Sequence, residues 1–124
     1  MNLVQQPNEG NLPLRWVRAD AIGVGDQTLQ RSFLLAVDQL LADWPPRAVD
    51  ELDQAALAPI LALQPEVLLL GTGQRQRFPA PALLASLLQR GIGVEVMDNA
   101  AAARTYSLLA QEGRRVVAAF LLPG

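Results

Sequence analysis

The stretch Glu66-Val67-Leu68-Leu69-Leu70-Gly71-Thr72-Gly73-Gln74-Arg75-Gln76-Arg77-Phe78-Pro79 decides the fold. An apolar run stops at two glycines, a polar loop with two arginines follows, and Pro79 opens a helical pattern. That is strand, loop, helix, and the carboxyl end of such a strand is where open α/β sheets place their ligands. The run barely alternates between apolar and polar, so the strand is expected to be buried on both faces.

Downstream, the pattern alternates. The spacing predicts a helix over 79–90, with Leu83, Leu84, Leu87 and Leu88 on its apolar face and Gly91 at its end. A strand over 92–97 follows. Asp98 or Asn99 then caps a third helix that runs to about Gln111, with Ala102, Tyr106 and Leu109 on one face. Gly113 stands where the residue after a helix end belongs, and Arg115 to Leu122, continuously apolar from Val116 onward, reads as a central strand.

Upstream, Asp50 to Leu63 carries an apolar stripe near the helical period, with Asp50 or Asp53 as its cap. Leu14 to Val24 and Thr28 to Val37 are strand-like, and Gly25-Asp26-Gln27 between them is a turn signal, so the pair is expected to form a hairpin. Gln39 to Trp44 either extends that strand or makes a short extra one, and Trp44-Pro45-Pro46 ends it. Trp44 reads as a lid on the core. Residues 1–12 read as an irregular arm. The expected architecture is a single α/β domain over 1–124. It has three layers and a mixed central sheet of about five strands, with an N-terminal β-hairpin followed by alternating α and β elements. The strands at 67–70 and 92–96 should be parallel, which sets Gly71-Thr72-Gly73 beside Met97-Asp98-Asn99 at one sheet edge.

Composition narrows the chemistry. The chain has 124 residues, of which 51% are hydrophobic, with a net charge of −2. This is one domain with enough apolar side chains for a packed core and no basic tail for nucleic acid. There is no Cys, no His and no Lys; all ten basic residues are Arg. Thiolate chemistry, Ser-His-Asp triads, Schiff bases, a P-loop lysine and most zinc sites are thereby excluded. No cofactor, metal site or catalytic residue is expected. The N-terminus has neither the basic nor the apolar region of a secretory signal, and no apolar run approaches the ~20 residues that span a bilayer. A soluble, cytoplasmic protein is expected, without membrane insertion.

Three motifs in register resemble a known family: Pro65 to Gly73, Gly91 to Met97, and Ala102-Ala103-Arg104-Thr105-Tyr106 followed by Glu112-Gly113-Arg114-Arg115-Val116. Together they resemble the Mth-type domain of unknown function, which includes mitochondrial complex I assembly factor three and the adipogenesis-associated Mth-domain protein. The resemblance covers about Trp16 to Leu122. It implies a compact α/β fold with a mixed sheet, no established catalytic activity, and, from the mitochondrial relatives, a role in assembling respiratory complex I through protein contacts. Two positions depart from the family pattern: Ser107 where Asn often follows the tyrosine, and Ala103 where Cys often precedes the arginine.

The candidate binding residues are Gly71, Thr72, Gly73, Arg75, Met97, Asp98, Asn99, Arg104, Tyr106 and Arg114. Gly71-Thr72-Gly73 is either an anion cradle, closed by Arg75 and Arg77, or a tight turn that needs positive φ. The dinucleotide fingerprint fails, because position 76 is Gln where a third glycine belongs. Asp98 is either a ribose ligand or a helix cap. Tyr106 belongs to the core face. Arg104 is either a surface residue, a partner of Glu112, or a group reaching toward the glycine loop. Glu112-Gly113-Arg114-Arg115 reads as a helix end with basic residues at the negative pole. The expected function is non-enzymatic and exerted through an unidentified protein partner, in assembling a respiratory or membrane complex. The alternative is a binder of a small anionic metabolite or nucleotide, or an unrecognised enzyme, using the Gly71–Arg77 loop. A homodimer is left open.

Overall fold

The computed structural model describes residues 4–7 and 13–124. Among these, nine strands and three α-helices follow one another. The strands are β1 (Val4–Pro7), β2 (Leu14–Val17), β3 (Ile22–Val24), β4 (Gln27–Leu29), β5 (Arg31–Ala36), β6 (Gln39–Ala42), β7 (Val67–Gly71), β8 (Gly93–Met97) and β9 (Val116–Pro123). The helices are α1 (Gln54–Ala62), α2 (Pro81–Gln89) and α3 (Asn99–Gln111), and a 3-10 turn (Val49–Glu51) precedes α1.

The larger sheet has the order β1-β6-β5-β9-β7-β8, and a smaller one has the order β2-β3-β4. β7 is parallel to both β8 and β9, while β5, β6 and β1 join on the far side of β9 in antiparallel pairs. The sheet is therefore mixed, as expected. Its extra strand is β1, so the expectation of an irregular arm is corrected at residues 4–7; residues 1–3 and 8–12 lie outside the described residues.

The expected hairpin is present but shorter than its apolar runs. Val24 faces Gln27 across the two-residue Gly25-Asp26 loop. The run from Leu14 to Val24 is broken by a turn in which Arg18 N–H donates to the Ala21 carbonyl at 2.8 Å. The second run breaks at Gln30, where the chain leaves the small sheet and enters the large one as β5. The transfer falls at the exposed pair Gln30-Arg31, between the half-exposed β4 and the buried β5.

Two cores sandwich the large sheet. On one face Leu69, Ala118, Phe120, Phe33 and Leu35 pack against α3 and the small sheet through Ala102, Tyr106, Ile22 and Val24. On the other, Leu68, Leu70, Val117, Ala119 and Leu34 pack against α1 and α2 through Ala56, Ile60 and Leu87. Every residue of β9 from Val116 to Leu122 is buried, which is why its sequence does not alternate. Phe33 and Phe120 are register partners with ring centroids 5.1 Å apart, an aromatic pair worth about 1 kcal/mol beyond its area. Trp44 closes the second core at 2% exposure, with its Nε1 donating to the Ala56 carbonyl at 3.0 Å.

The helix caps follow the chemistry of their residues. Asp53, not Asp50, caps α1 by accepting the Ala56 N–H at 2.8 Å. Asp98 caps α3 by accepting the Ala101 N–H at 2.8 Å. On α2, Leu87 is buried and Leu83 and Leu84 are half-buried, but Leu88 is 60% exposed. The expectation that Leu88 faces the core is thus corrected: α2 covers the rim of the sheet above β8, and one flank of its apolar side has nothing to pack on.

Candidate functional site

α2 and α3 lie on opposite faces of the sheet, although the loops that lead to them leave adjacent parallel strands, β7 and β8. The carboxyl edge of these two strands is therefore a topological switch point, the place where open sheets form a ligand crevice. Six of the sequence-predicted residues meet there. Gly71 is in register with Met97 and Phe120, Thr72 and Gly73 follow, and Asp98 and Asn99 open α3.

The crevice is stitched by the protein itself. Thr72 N–H donates to the Met97 carbonyl at 2.9 Å, and Asn99 N–H donates to the Gly73 carbonyl at 2.8 Å. Asn99, at 3% exposure, accepts the Gly73 N–H on Oδ1 at 3.1 Å and donates from Nδ2 to the Leu121 carbonyl at 3.0 Å. One buried side chain thus ties together the glycine loop, α3 and the central strand. The N–H groups of Thr72 and Gly73, which an anion cradle needs, already have acceptors within the chain.

The two glycines have different reasons to be glycine. Gly73 holds φ at +101° with open space where a Cβ would stand, so its backbone conformation is what excludes a side chain. A Cβ on Gly71 would clash with Asn99 Oδ1, so there it is the close approach of Asn99 that excludes one. The loop beyond is closed by Thr72, whose Oγ1 accepts the Arg77 N–H at 3.0 Å and donates to the Arg75 carbonyl at 2.5 Å. Gln76 Nε2 donates to the Val96 carbonyl at 2.9 Å and holds the loop against β8.

The remaining predicted residues do not join this cluster as a binding set. Arg75 is exposed on the loop, and Arg77 turns away to Asp50 at 3.3 Å. Arg104 is exposed on α3 and enters no ion pair among the described residues, so neither Glu112 nor the glycine loop holds it. Tyr106 is buried in the first core. Burial first, and then the Asp38 carboxylate, push its phenol up to about 12. Arg114 lies at the opposite edge of the sheet, before β9, roughly 20 Å away along the strand direction. It pairs with Glu66 at 3.8 Å.

Shallow concavities lie at both edges. One, of about 250 Å³, lies beside the cluster between the β2–β3 turn and the glycine loop, bounded by Val17, Arg18, Gly73, Gln74, Asp98 and Ala100. Arg18 is held over the Trp16 ring, 4.5 Å from its centroid. Another, of about 330 Å³, lies at the opposite edge between Asp38, Leu63, Pro65, Arg114 and Val117. All three helices end at that edge, so Arg90, Arg114 and Arg115 offset the negative poles of their dipoles. Among the described residues no three acidic side chains are placed to share a metal ion.

Sequence reasoning took Asn99 for one of two possible caps and missed its tying role. It also missed Ser32, whose buried Oγ accepts the Leu122 N–H at 2.8 Å where the β5–β9 register slips. A lone polar residue inside an apolar strand is the signal that points to such a site.

Residues 16–121 match the family described as a protein of unknown function, DUF498/DUF598. The chain belongs to this family. NADH dehydrogenase [ubiquinone] 1 alpha subcomplex assembly factor 3 from Bos taurus is 32% identical over 87 residues, which cover 68% of this chain and 47% of that protein. The chain thus spans about half the length of the curated relatives it matches. A solved structure from Xanthomonas campestris superposes with a TM-score of 0.85 at 48% identity, over 92% of this chain and 86% of the other. A Mth938-like domain from Bordetella pertussis superposes at 0.81 with 31% identity, over all of this chain and 94% of its own. The Mth-type resemblance and the mixed α/β fold are therefore those of this DUF498/DUF598 chain. Homology to complex I assembly factors is established over the matched region, and no helix among the described residues is long and apolar enough to cross a membrane.

Proposed function

We propose that this DUF498/DUF598 chain acts in the cytoplasm by binding another protein, without catalysing a reaction, in the assembly of a respiratory or membrane complex. The observation that carries this reading is Asn99. At the switch point where an α/β enzyme would hold its ligand, the Asn99 carboxamide accepts the Gly73 N–H and is itself buried. The Gly73 N–H is thus taken by a packed side chain where an anion-binding or oxyanion site would need an unpaired donor. The name of the bovine relative supplies the class of process.

Affinity capture from detergent-solubilised membranes of the cell that encodes the chain tests this directly. Enrichment of subunits of a respiratory or other membrane complex is the expected result. No enriched subunit, together with saturable amide shifts at Gly71, Thr72 and Gly73 on adding phosphate, nucleotides or dicarboxylates, would overturn it in favour of an anion-binding protein.

A further inference from the structure

α2 is a surface helix without a single charged residue: Pro81-Ala82-Leu83-Leu84-Ala85-Ser86-Leu87-Leu88-Gln89. Pro81, Ala85 and Leu88 recur on its outer side at helical spacing, flanked by Ala82 and Gln89, and all five are exposed. Leu88 is 60% exposed, and Phe78, three residues before the helix, is 66% exposed. Among the described residues, two of the three large apolar side chains most exposed to water thus belong to one short segment. Beneath α2 lies β8, the last strand of the sheet, so this corner of the fold has an open edge as well as an uncharged face. Depletion of charge in an exposed apolar patch is the compositional mark of an interface core.

Charge decides what covers it. Asp50, the acid that meets the loop before α2, is paired with Arg77, and its neighbour Glu51 with Arg47. Arg75, in the loop leading to the amino end of α2, and Arg90, at its carboxyl end, enter no ion pair among the described residues. The rim is therefore basic at both ends. Two copies packed along α2 about a two-fold axis would set Arg90 of each over Arg75 of the other if antiparallel, or Arg90 against Arg90 and Arg75 against Arg75 if parallel, so like charges meet either way. Two copies paired through β8 would set Glu95, the middle residue of that strand, against itself, which is unfavourable. A lipid surface fits poorly as well. Interfacial helices insert a broad face of large apolar side chains, whereas the middle of this face is Ala82 and Ala85. Small residues between larger ones receive the ridge of another helix.

We infer that the outer face of α2 docks an amphipathic helix of a different protein, with an apolar ridge lying over Ala82 and Ala85 beside Leu88 and acidic side chains meeting Arg75 and Arg90. This inference rests on the protein-binding reading above and names its surface. The test repeats the capture with Leu88→Glu, with the pair Arg75→Glu and Arg90→Glu, and with Leu108→Glu as a control. Leu108 is 58% exposed on α3, which packs on the other face of the sheet. Captured complex subunits should fall at least tenfold for Leu88→Glu and about fivefold for the double charge reversal, and stay unchanged for Leu108→Glu, with all melting temperatures near wild type. Equal capture by wild type and the α2 variants would overturn the surface while leaving the protein-binding reading intact. No captured subunit with the unaltered chain would overturn both. A homodimer in light scattering that Leu88→Glu dissociates, or flotation with phosphatidylglycerol vesicles that Leu88→Glu abolishes, would overturn the inference by assigning the face to a second copy or to lipid.

Discussion

Asn99 Oδ1 stands so close to Gly71 that a Cβ there would clash with it. The glycine and the asparagine are therefore one feature. The missing side chain at the end of β7 admits the carboxamide that joins the glycine loop to β9 through the Leu121 carbonyl.

Asn99→Ala leaves the buried Leu121 carbonyl and the Gly73 N–H without their partners and should destabilise the fold by about 2–4 kcal/mol. Gly71→Ala alone should destabilise it through the clash with Asn99. The double variant should lose less than the sum of the two, because each change removes what makes the other costly. Urea titration of the four proteins measures the coupling, and strict additivity would show that the two residues act independently.

Gly73→Val should destabilise the loop by about 1–3 kcal/mol, since a β-branched residue resists the φ of +101° held there. No atom lies within 4 Å of the added Cβ, so the penalty is conformational and not steric. Gly73→Asn, which tolerates positive φ better, should therefore recover part of the loss. Thermal melting of the two variants side by side decides this, with identical melting temperatures as the contrary outcome.

Ser32→Ala should cost about 1–3 kcal/mol, although it removes one atom and leaves no large void. The buried Leu122 N–H, which donates to Ser32 Oγ at 2.8 Å, loses its acceptor at the slip in the β5–β9 register. Chemical denaturation measures the loss, and an unchanged midpoint would mean that another group takes the N–H.

Tyr106 makes stability depend on pH in the alkaline range. Its phenol is raised from 10.0 to about 12 in the folded chain, by burial first and the Asp38 carboxylate second. The unfolded chain loses this proton first, so the stabilisation is fully present below pH ~10 and is lost as pH rises through the folded value. A shift of this size corresponds to about 2–3 kcal/mol. The chain has one Tyr, no Lys and no Cys, so no other side chain type titrates in this window. Phenolate absorbance should follow Tyr106 alone, and unfolding free energies between pH 9 and 12 should fall along with it. A flat profile would contradict the burial effect. Asp38→Asn should lower the folded value, because it removes the second cause.

Residue pattern alone determined the second half of the fold. The unalternating runs at 67–70 and 116–122 required strands covered on both faces, and the caps and prolines bounded the helices between them, because burial and capping act through residues close in sequence. It also brought Gly71-Thr72-Gly73 beside Met97-Asp98-Asn99, since a parallel crossover has one usual hand. Pattern did not reveal the transfer between sheets at Gln30 or the pairing of residues 4–7, as both are matters of which strand finds which neighbour. Nor did it separate the two glycines. Gly73 is glycine for its own backbone, but Gly71 is glycine because Asn99, 28 positions later, occupies its space. Leu88 repeats the lesson: its helical spacing matched the apolar face of α2, yet whether that flank met a neighbour or water depended on α2 lying at the rim of the sheet. Local periodicity sets which side chains share a face, and only the tertiary arrangement decides what stands opposite them.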